Sequence, residues 1–174
     1  MTRTALGLLA TAFTPLVITG ARLAPPAGLT ARSGLPQAAA AAKKWRSDAA
    51  LTHVSSLTVQ SDGTAKSWIY TFYALASKKS LNVTVAPGEP LDTLEVPNTS
   101  MVPIGDAWVD SDRAMEEAKK HDLKGKSPSM GLVVMGSTGS PVWAVNGGLD
   151  EGDVSVMLVG NTGAFIRREV ITYR

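Results

Sequence analysis

Alternating apolar side chains in short segments, separated by turn residues, constrain the fold of this chain more than any other feature of its sequence. In residues 67–75 (SWIYTFYAL), Trp68, Tyr70 and Phe72 fall on one side of an extended backbone, and the residues between them fall on the other. Asp62-Gly63, just before this segment, has the composition of a hairpin turn. Other strand-like segments are residues 81–85, 132–135, 141–145, 154–159 and 165–173. The chain therefore predicts short strands joined by tight turns.

An alanine-rich segment before the first strands predicts a helix. Residues 37–50 follow Pro36, which suits the first turn of a helix, and their alanines form an apolar stripe that leads to Trp45. Residues 51–56 are then a short connection.

A second helix is predicted after Asp110 or Ser111, either of which can serve as its N-cap. Acidic residues come early in this segment, and Lys119 and Lys120 come last, which is the order that the helix dipole favours. Strands follow both helices, so the order of elements repeats along the chain, with one tryptophan in a middle strand of each half (Trp68 and Trp143).

The repeated order of elements resembles the PepSY-like domains of exported bacterial proteins. The strings that carry the resemblance are AWVDSDRAMEEAKK (residues 107–120), PVWAVNGG (residues 141–148) and VSVMLVGNTGAFIRREV (residues 154–170). The second half matches better than the first, and the turn at residues 159–163 lacks the aspartate usual in the family. The resemblance implies an α+β fold of two small helix-plus-antiparallel-sheet repeats, and modules that bind or inhibit peptidases or regulate envelope partners. It transfers no catalytic residue.

The N-terminal segment has the pattern of a secretory signal. Arg3 is followed by an uncharged, mostly apolar stretch from residue 4 to residue 21, which suits a signal peptide and, as a second choice, a retained anchor or an organelle transit peptide. The predicted organisation is a sequence of five parts: 1–21 signal peptide or anchor, 22–36 linker, 37–96 first α+β repeat, 97–107 connection, 108–174 second α+β repeat.

Charge and cysteine content narrow the function classes. The chain has 17 basic and 15 acidic residues, and because Arg3, Arg22 and Arg32 precede residue 37, the remainder is nearly balanced and predicts no nucleic-acid partner. A membrane partner is expected only if the N-terminal segment is retained as an anchor. With no cysteine, the fold has no disulfide, no lipid attachment site and no thiolate nucleophile.

The histidines and acidic residues do not form a recognisable catalytic or metal-binding motif. His53 and His121 are far apart in the sequence, and a triad or metal site built on one of them stays an alternative to a surface role. An acidic cluster (Asp106, Asp110, Asp112 and Glu116) lacks the spacing of a calcium loop, and helix capping explains most of it. We expect no catalytic residue, no metal and no cofactor.

The connection between the halves is the predicted contact site for a partner. Its prolines and glycine prevent regular structure, yet Met101, Val102, Ile104 and Trp108 supply apolar side chains that a simple linker does not need. These four residues either contact a partner or pack over the sheet. The sequence thus predicts an exported, non-enzymatic binding module for a secreted peptidase or another envelope protein. The alternatives are a structural or assembly component of the envelope and an unrecognised hydrolase.

Overall fold

The structure, a computed structural model, describes residues 28–97, 102–125, 127–136, 139–147 and 153–171. The predicted signal segment, residues 1–21, and the first part of the predicted linker lie outside the described residues. Within them, the order of elements is α1 (Ala31–Trp45), β1 (Ala49–Ser56), β2 (Trp68–Ala74), β3 (Lys79–Val85), β4 (Asp92–Val96), α2 (Ser111–Lys119), β5 (Ser129–Val134), β6 (Pro141–Asn146), β7 (Asp153–Val159) and β8 (Phe165–Ile171).

All eight strands belong to one antiparallel sheet, in the order β4-β3-β2-β1-β5-β6-β7-β8. The predicted fold class, two small helix-plus-antiparallel-sheet repeats, is wrong. β1 pairs with β5, with Val54 opposite Leu132 and Ser56 opposite Met130, so the two sets of strands form a continuous sheet. The physical reason is that in two separate four-stranded sheets β1 and β5 would be outer strands, each with an unpaired backbone edge, and their mutual pairing satisfies both edges.

Helix α1 begins at Ala31 rather than at the predicted Gln37. Thr30 has an extended backbone and its side chain accepts a hydrogen bond from the Ser33 N–H at 3.3 Å, which is the N-cap arrangement. Pro36 therefore lies inside the helix, on its exposed side. The helix ends at Trp45, and the residues after it form β1, which the sequence had assigned to a helix end and a connection.

Both helices pack on the same face of the sheet. α1 contacts β1, β2 and β3, and α2 contacts β6 and β7. The core between helices and sheet contains Trp68 and Trp143, both fully buried. Their positions between apolar neighbours in middle strands predict core packing, and the burial confirms it. Small residues in α1, Ala38 and Ala42, are also fully buried and allow the helix to approach the sheet closely.

Tyr70 connects the sheet to the first turn of α1. Its hydroxyl donates to the Ala31 carbonyl at 2.7 Å. A Cβ added at Gly34 would lie 2.5 Å from the Tyr70 hydroxyl oxygen. Burial, with a contribution from the Asp110 charge, raises the pKa of Tyr70 well above its usual range, so the hydroxyl keeps its proton and donates. Gly34 therefore provides the space for this contact.

The N-termini of the two helices share their caps. The Asp110 carboxylate accepts from the Ser111 N–H at 2.7 Å and from the Arg32 N–H at 2.9 Å, and therefore serves both helices. The buried Ser111 hydroxyl accepts from the Ala31 N–H and donates to the Gly63 carbonyl. The predicted cap of α2 is confirmed. In the described residues, no helix is long and apolar enough to cross a membrane.

Candidate functional site: the helix-free face of the sheet

The second face of the sheet carries neither helix, and we call it the open face. Paired residues in neighbouring antiparallel strands point to the same side, so the registers define which side chains share it. One row runs through the middle of seven strands: Leu94, Asn82, Thr71, His53, Val133, Val142 and Val159. A parallel row consists of Asp92, Thr84, Ile69, Ser55, Gly131, Ala144, Met157 and Arg167.

The two halves of the open face differ in polarity. On β1 to β3 it is lined by hydroxyl and amide groups that are buried or partly buried, and the buried Thr71 hydroxyl donates to Asn82 Oδ1 at 2.9 Å. On β5 to β7 it presents aliphatic side chains that are only partly buried: Val133, Val142, Ala144, Met157 and Val159. Charged side chains occur in these rows only at the outer strands, as Asp92 on β4 and Arg167 on β8. The centre of the face is therefore neutral, with a polar half and an apolar half.

His53 lies at the boundary between the two halves. A Cβ added at Gly131 would be 3.5 Å from His53 Nε2, so the imidazole lies against β5. Burial lowers the pKa of His53 below 6.5, which favours the neutral ring at neutral pH. Among the residues that the structure describes, no hydrogen-bond partner of this ring is found. Its two cross-strand neighbours are Thr71 and Val133. Neither supplies the carboxylate that commonly orients a catalytic histidine.

His121 belongs to a different surface. It follows α2, its Nε2 lies 3.1 Å from Glu117 Oε1, and its ring stacks on Phe165 with centroids 3.8 Å apart. Hydrogen bonds from Lys120 and His121 lower the pKa of Glu117. The structure thus does not bring His53 and His121 together, because they lie on opposite faces of the sheet.

The acidic cluster of the sequence is divided among separate tasks. Asp110 caps both helices, and the main-chain carbonyl of Asp106 accepts from the Arg32 guanidinium at 2.7 Å. Glu116 is exposed on α2, 3.8 Å from Arg113. Within the described part of the chain, no group of three or more histidine or acidic side chains could hold a metal ion.

The predicted contact residues of the connection separate into buried and exposed positions. Met101 lies outside the described residues. Ile104 is buried, and its N–H donates to the Leu51 carbonyl at 2.9 Å, which attaches the connection to β1. Val102 is half exposed. The packing alternative therefore describes Ile104, while partner contact stays a prediction for Val102.

Trp108, the fourth predicted contact residue, is buried against the core. Its ring meets that of Trp143 edge to face at 6.0 Å, and the Arg32 guanidinium lies 4.3 Å from its centroid on the outer side. Arg32 also donates to the Trp108 carbonyl from Nε and Nη2. In this arrangement Trp108 joins the start of α1 to the connection and does not offer a free surface.

Sequence reasoning missed the open face because it missed β1. A β-bulge between Leu51 and His53 shifts the register, so the alternation of apolar residues in AALTHVSS is interrupted. Without β1, nothing in the sequence places His53 in a central strand. The alternation of apolar residues in VWAV of β6 and VSVMLV of β7 predicts strands. It identifies the side chains that pack under the helices more readily than those on the open face.

Comparison with known proteins provides evidence on the fold alone. No family model and no curated protein matches this chain, so the resemblance to PepSY-like domains stays a prediction. The crystal structure of a candidate lipoprotein from Clostridium difficile 630 is similar, with a TM-score of 0.54 over 78% of this chain and 91% of that chain. The two sequences are 12% identical, which supports a shared architecture and nothing about activity.

Proposed function

We propose that this chain is an exported protein that binds a protein partner through the open face and has no catalytic activity of its own. The observation that carries the proposal is the partly buried aliphatic surface on β5 to β7, which no described helix covers. Monomeric proteins seldom leave a broad apolar area without a use, and such areas commonly serve as contact surfaces.

The dimensions of the open face suit a folded protein. Eight strands at a spacing of about 4.8 Å span about 34 Å, and strands of five to eight residues extend about 20 Å on average, which gives an area of about 700 Å². A stable protein–protein interface buries about 800 Å² per partner. Small molecules bind mainly in concave pockets, so a neutral, broad surface favours a partner that presents a matching uncharged surface.

Export is supported by the N-terminal pattern, in which Arg3 precedes an uncharged apolar stretch. A structural neighbour described as a candidate lipoprotein is consistent with a place in or outside the envelope. This chain has no cysteine, so a lipid thioether cannot anchor it. The sequence predicts that the mature protein begins between Ala21 and Gln37. Because Leu29 and the first turn of α1 are bonded to the rest of the fold, we propose a start before Leu29. The intact mass of the protein recovered from the native envelope tests this, because a species that retains residues 1–20 would support the anchor instead.

The binding proposal is tested by affinity capture from an envelope extract with the exported protein and matched variants. Met157→Asp places a charge in the apolar half of the open face, and Leu94→Asp places one at its more exposed margin. Leu75→Asp, in the turn after β2, is the control because Leu75 is 72% exposed. We expect both open-face variants to lose the partner and the control to retain it, with all three keeping the wild-type melting temperature within a few degrees.

The captured partner distinguishes the proposed role from its alternative. A soluble peptidase retained in equal amount, and inhibited, supports an inhibitory module, whereas co-purification with envelope complexes supports a structural or assembly role. Capture that is equally strong for wild type and for both open-face variants would contradict the open face as the contact surface.

One observation favours a hydrolase as the second candidate function: burial lowers the pKa of His53, which favours the neutral imidazole, and this half-buried ring lies on the face that carries no described helix. A substitution pair, His53→Ala and His121→Ala, separates the candidates. Binding that survives both changes supports the binding module. Hydrolysis by the wild type that the His53→Ala variant lacks would support the hydrolase.

A further inference from the structure

We propose that β8 pairs with β8 of a second copy of this chain, antiparallel and centred on Arg168, so that the two sheets join edge to edge. β8 is an outer strand of the described sheet and hydrogen-bonds to β7 on one side only. The main-chain groups on its other side can pair with an added strand.

The side chains of β8 are exposed in a manner that a solitary edge strand does not need. Residues 165–170 are all exposed, including two aliphatic side chains, Ile166 at 44% and Val170 at 57%. Edge strands commonly avoid association through charges, bulges and short length. β8 has seven residues and a bulge at Ile166, and the charges that follow the bulge have a self-complementary order.

The self-complementarity follows from the register. When two copies of β8 run antiparallel about Arg168, Arg167 of each copy lies opposite Glu169 of the other. Ile166 is the extra residue of a β-bulge next to β7, so the paired register rests on residues 167–169. Arg167 and Glu169 occupy the same face of the sheet, because they pair with Met157 and Ser155, and Arg167 Nε lies 2.9 Å from Glu169 Oε1 within the chain. Opposite charges in directly paired positions stabilise antiparallel strands.

The two central arginines do not oppose this arrangement. Arg168 lies on the helix-bearing side of the sheet, opposite Val156, where its Nη2 is 3.3 Å from Asp122 Oδ2 of the same chain. Each guanidinium therefore already has a carboxylate partner, which offsets the repulsion between the two copies.

The other outer strand lacks these properties. β4 has five residues, and an antiparallel pair centred on Leu94 would set Thr93 against Glu95 and Asp92 against Val96. No opposite charges meet in that register. Pairing between β4 of one copy and β8 of another would not close on itself and would produce open-ended chains of molecules.

The register is tested by single cysteines, because the chain has none of its own. Arg168→Cys places two thiols opposite each other, within the roughly 7 Å between Cα atoms that a disulfide spans. In the matched control, Val170→Cys, the two thiols are displaced in opposite directions, about 13 Å apart along the strands. We expect mild oxidation of the exported protein to cross-link Arg168→Cys and to leave Val170→Cys monomeric. A mixture of Arg167→Cys and Glu169→Cys proteins should cross-link between the two variants.

The charge pattern is tested by sedimentation over a concentration series. Wild type should form a closed dimer, and Glu169→Arg or Arg167→Glu should each raise the dissociation constant about tenfold or more, since two favourable pairs become repulsive. Mixed in equal amounts, the two variants should form a heterodimer, and the double variant should regain self-association. Lys44→Glu, on the exposed side of α1, is the control and should leave the dimer unchanged.

Three results would overturn the proposal: a wild type that stays monomeric at every concentration, an equal cross-linking yield at positions 168 and 170, or assembly into open-ended polymers. None of these results bears on the open face, and loss of partner binding leaves the β8 dimer intact. The two proposals are therefore tested independently.

Discussion

The indole rings of Trp68 and Trp143 meet edge to face in the core, with centroids 6.3 Å apart and planes inclined by 72°. Each indole N–H donates to a main-chain carbonyl just before a helix, Trp68 to Leu29 at 2.8 Å and Trp143 to Val109 at 2.9 Å. The pair therefore fixes the starts of both helices to the same central region of the sheet.

We expect Trp68→Ala and Trp143→Ala each to lower the free energy of unfolding by about 3–5 kcal/mol, because both side chains are fully buried and their removal leaves a cavity. The double variant should cost less than the sum of the two, by about 0.5–1.5 kcal/mol, since the edge-to-face contact is lost only once. Denaturant unfolding of the four proteins measures this coupling. Additive effects would show that the two rings do not interact energetically.

The cost of Gly34→Ala should depend on the residue at position 70. In the wild type, the added Cβ would lie 2.5 Å from the Tyr70 hydroxyl, so the substitution should destabilise the protein despite the higher helix propensity of alanine. In a Tyr70→Phe background the hydroxyl is absent and only the ring carbons at 3.3–3.4 Å remain close, so the same change should cost much less stability than in the wild type. Thermal unfolding of the four proteins measures both effects. A loss of equal size in both backgrounds would place the conflict elsewhere.

Two neighbouring positions of the connection should respond differently to serine. Ile104→Ser should lower the melting temperature, because Ile104 is 5% exposed and its replacement leaves a hydroxyl in an apolar site. Val102→Ser should leave the melting temperature near that of wild type, since Val102 is 50% exposed. Weaker partner binding by Val102→Ser, at unchanged stability, would support a contact role for this segment.

Stability should fall in mildly acidic solution because of His53. Burial lowers its pKa in the folded protein below 6.5, so between that folded value and about 6.5 the unfolded chain binds more protons than the folded one. The free energy of unfolding should therefore rise with pH across this window and become independent of His53 above it. His53→Gln should remove that part of the pH dependence, and His121→Gln should leave it in place. An unchanged slope in His53→Gln would show that the ring is not desolvated.

Several features of the fold were predictable because they depend on neighbours in the sequence. The strand at residues 67–75, the burial of Trp68 and Trp143, and the cap at Asp110 follow from side-chain alternation and local hydrogen bonding. The start of α1 was not predicted correctly, because Pro36 signals a first turn. Thr30 instead provides the cap, with Asp110, remote in the sequence, accepting from the Arg32 N–H.

By itself, the sequence determined the alternating strands, the two helical segments, the absence of disulfides and the near balance of charge outside its N-terminal part. Only the tertiary structure decided that β1 pairs with β5, that both helices cover one face, and that His53 lies in the middle of the other. The pairing of β1 with β5 depends on backbone edges and side-chain surfaces that are more than seventy residues apart in the sequence. In addition, a bulge in β1 interrupts the local alternation that would have identified this strand. The candidate site arises from that long-range pairing, which no local pattern specifies.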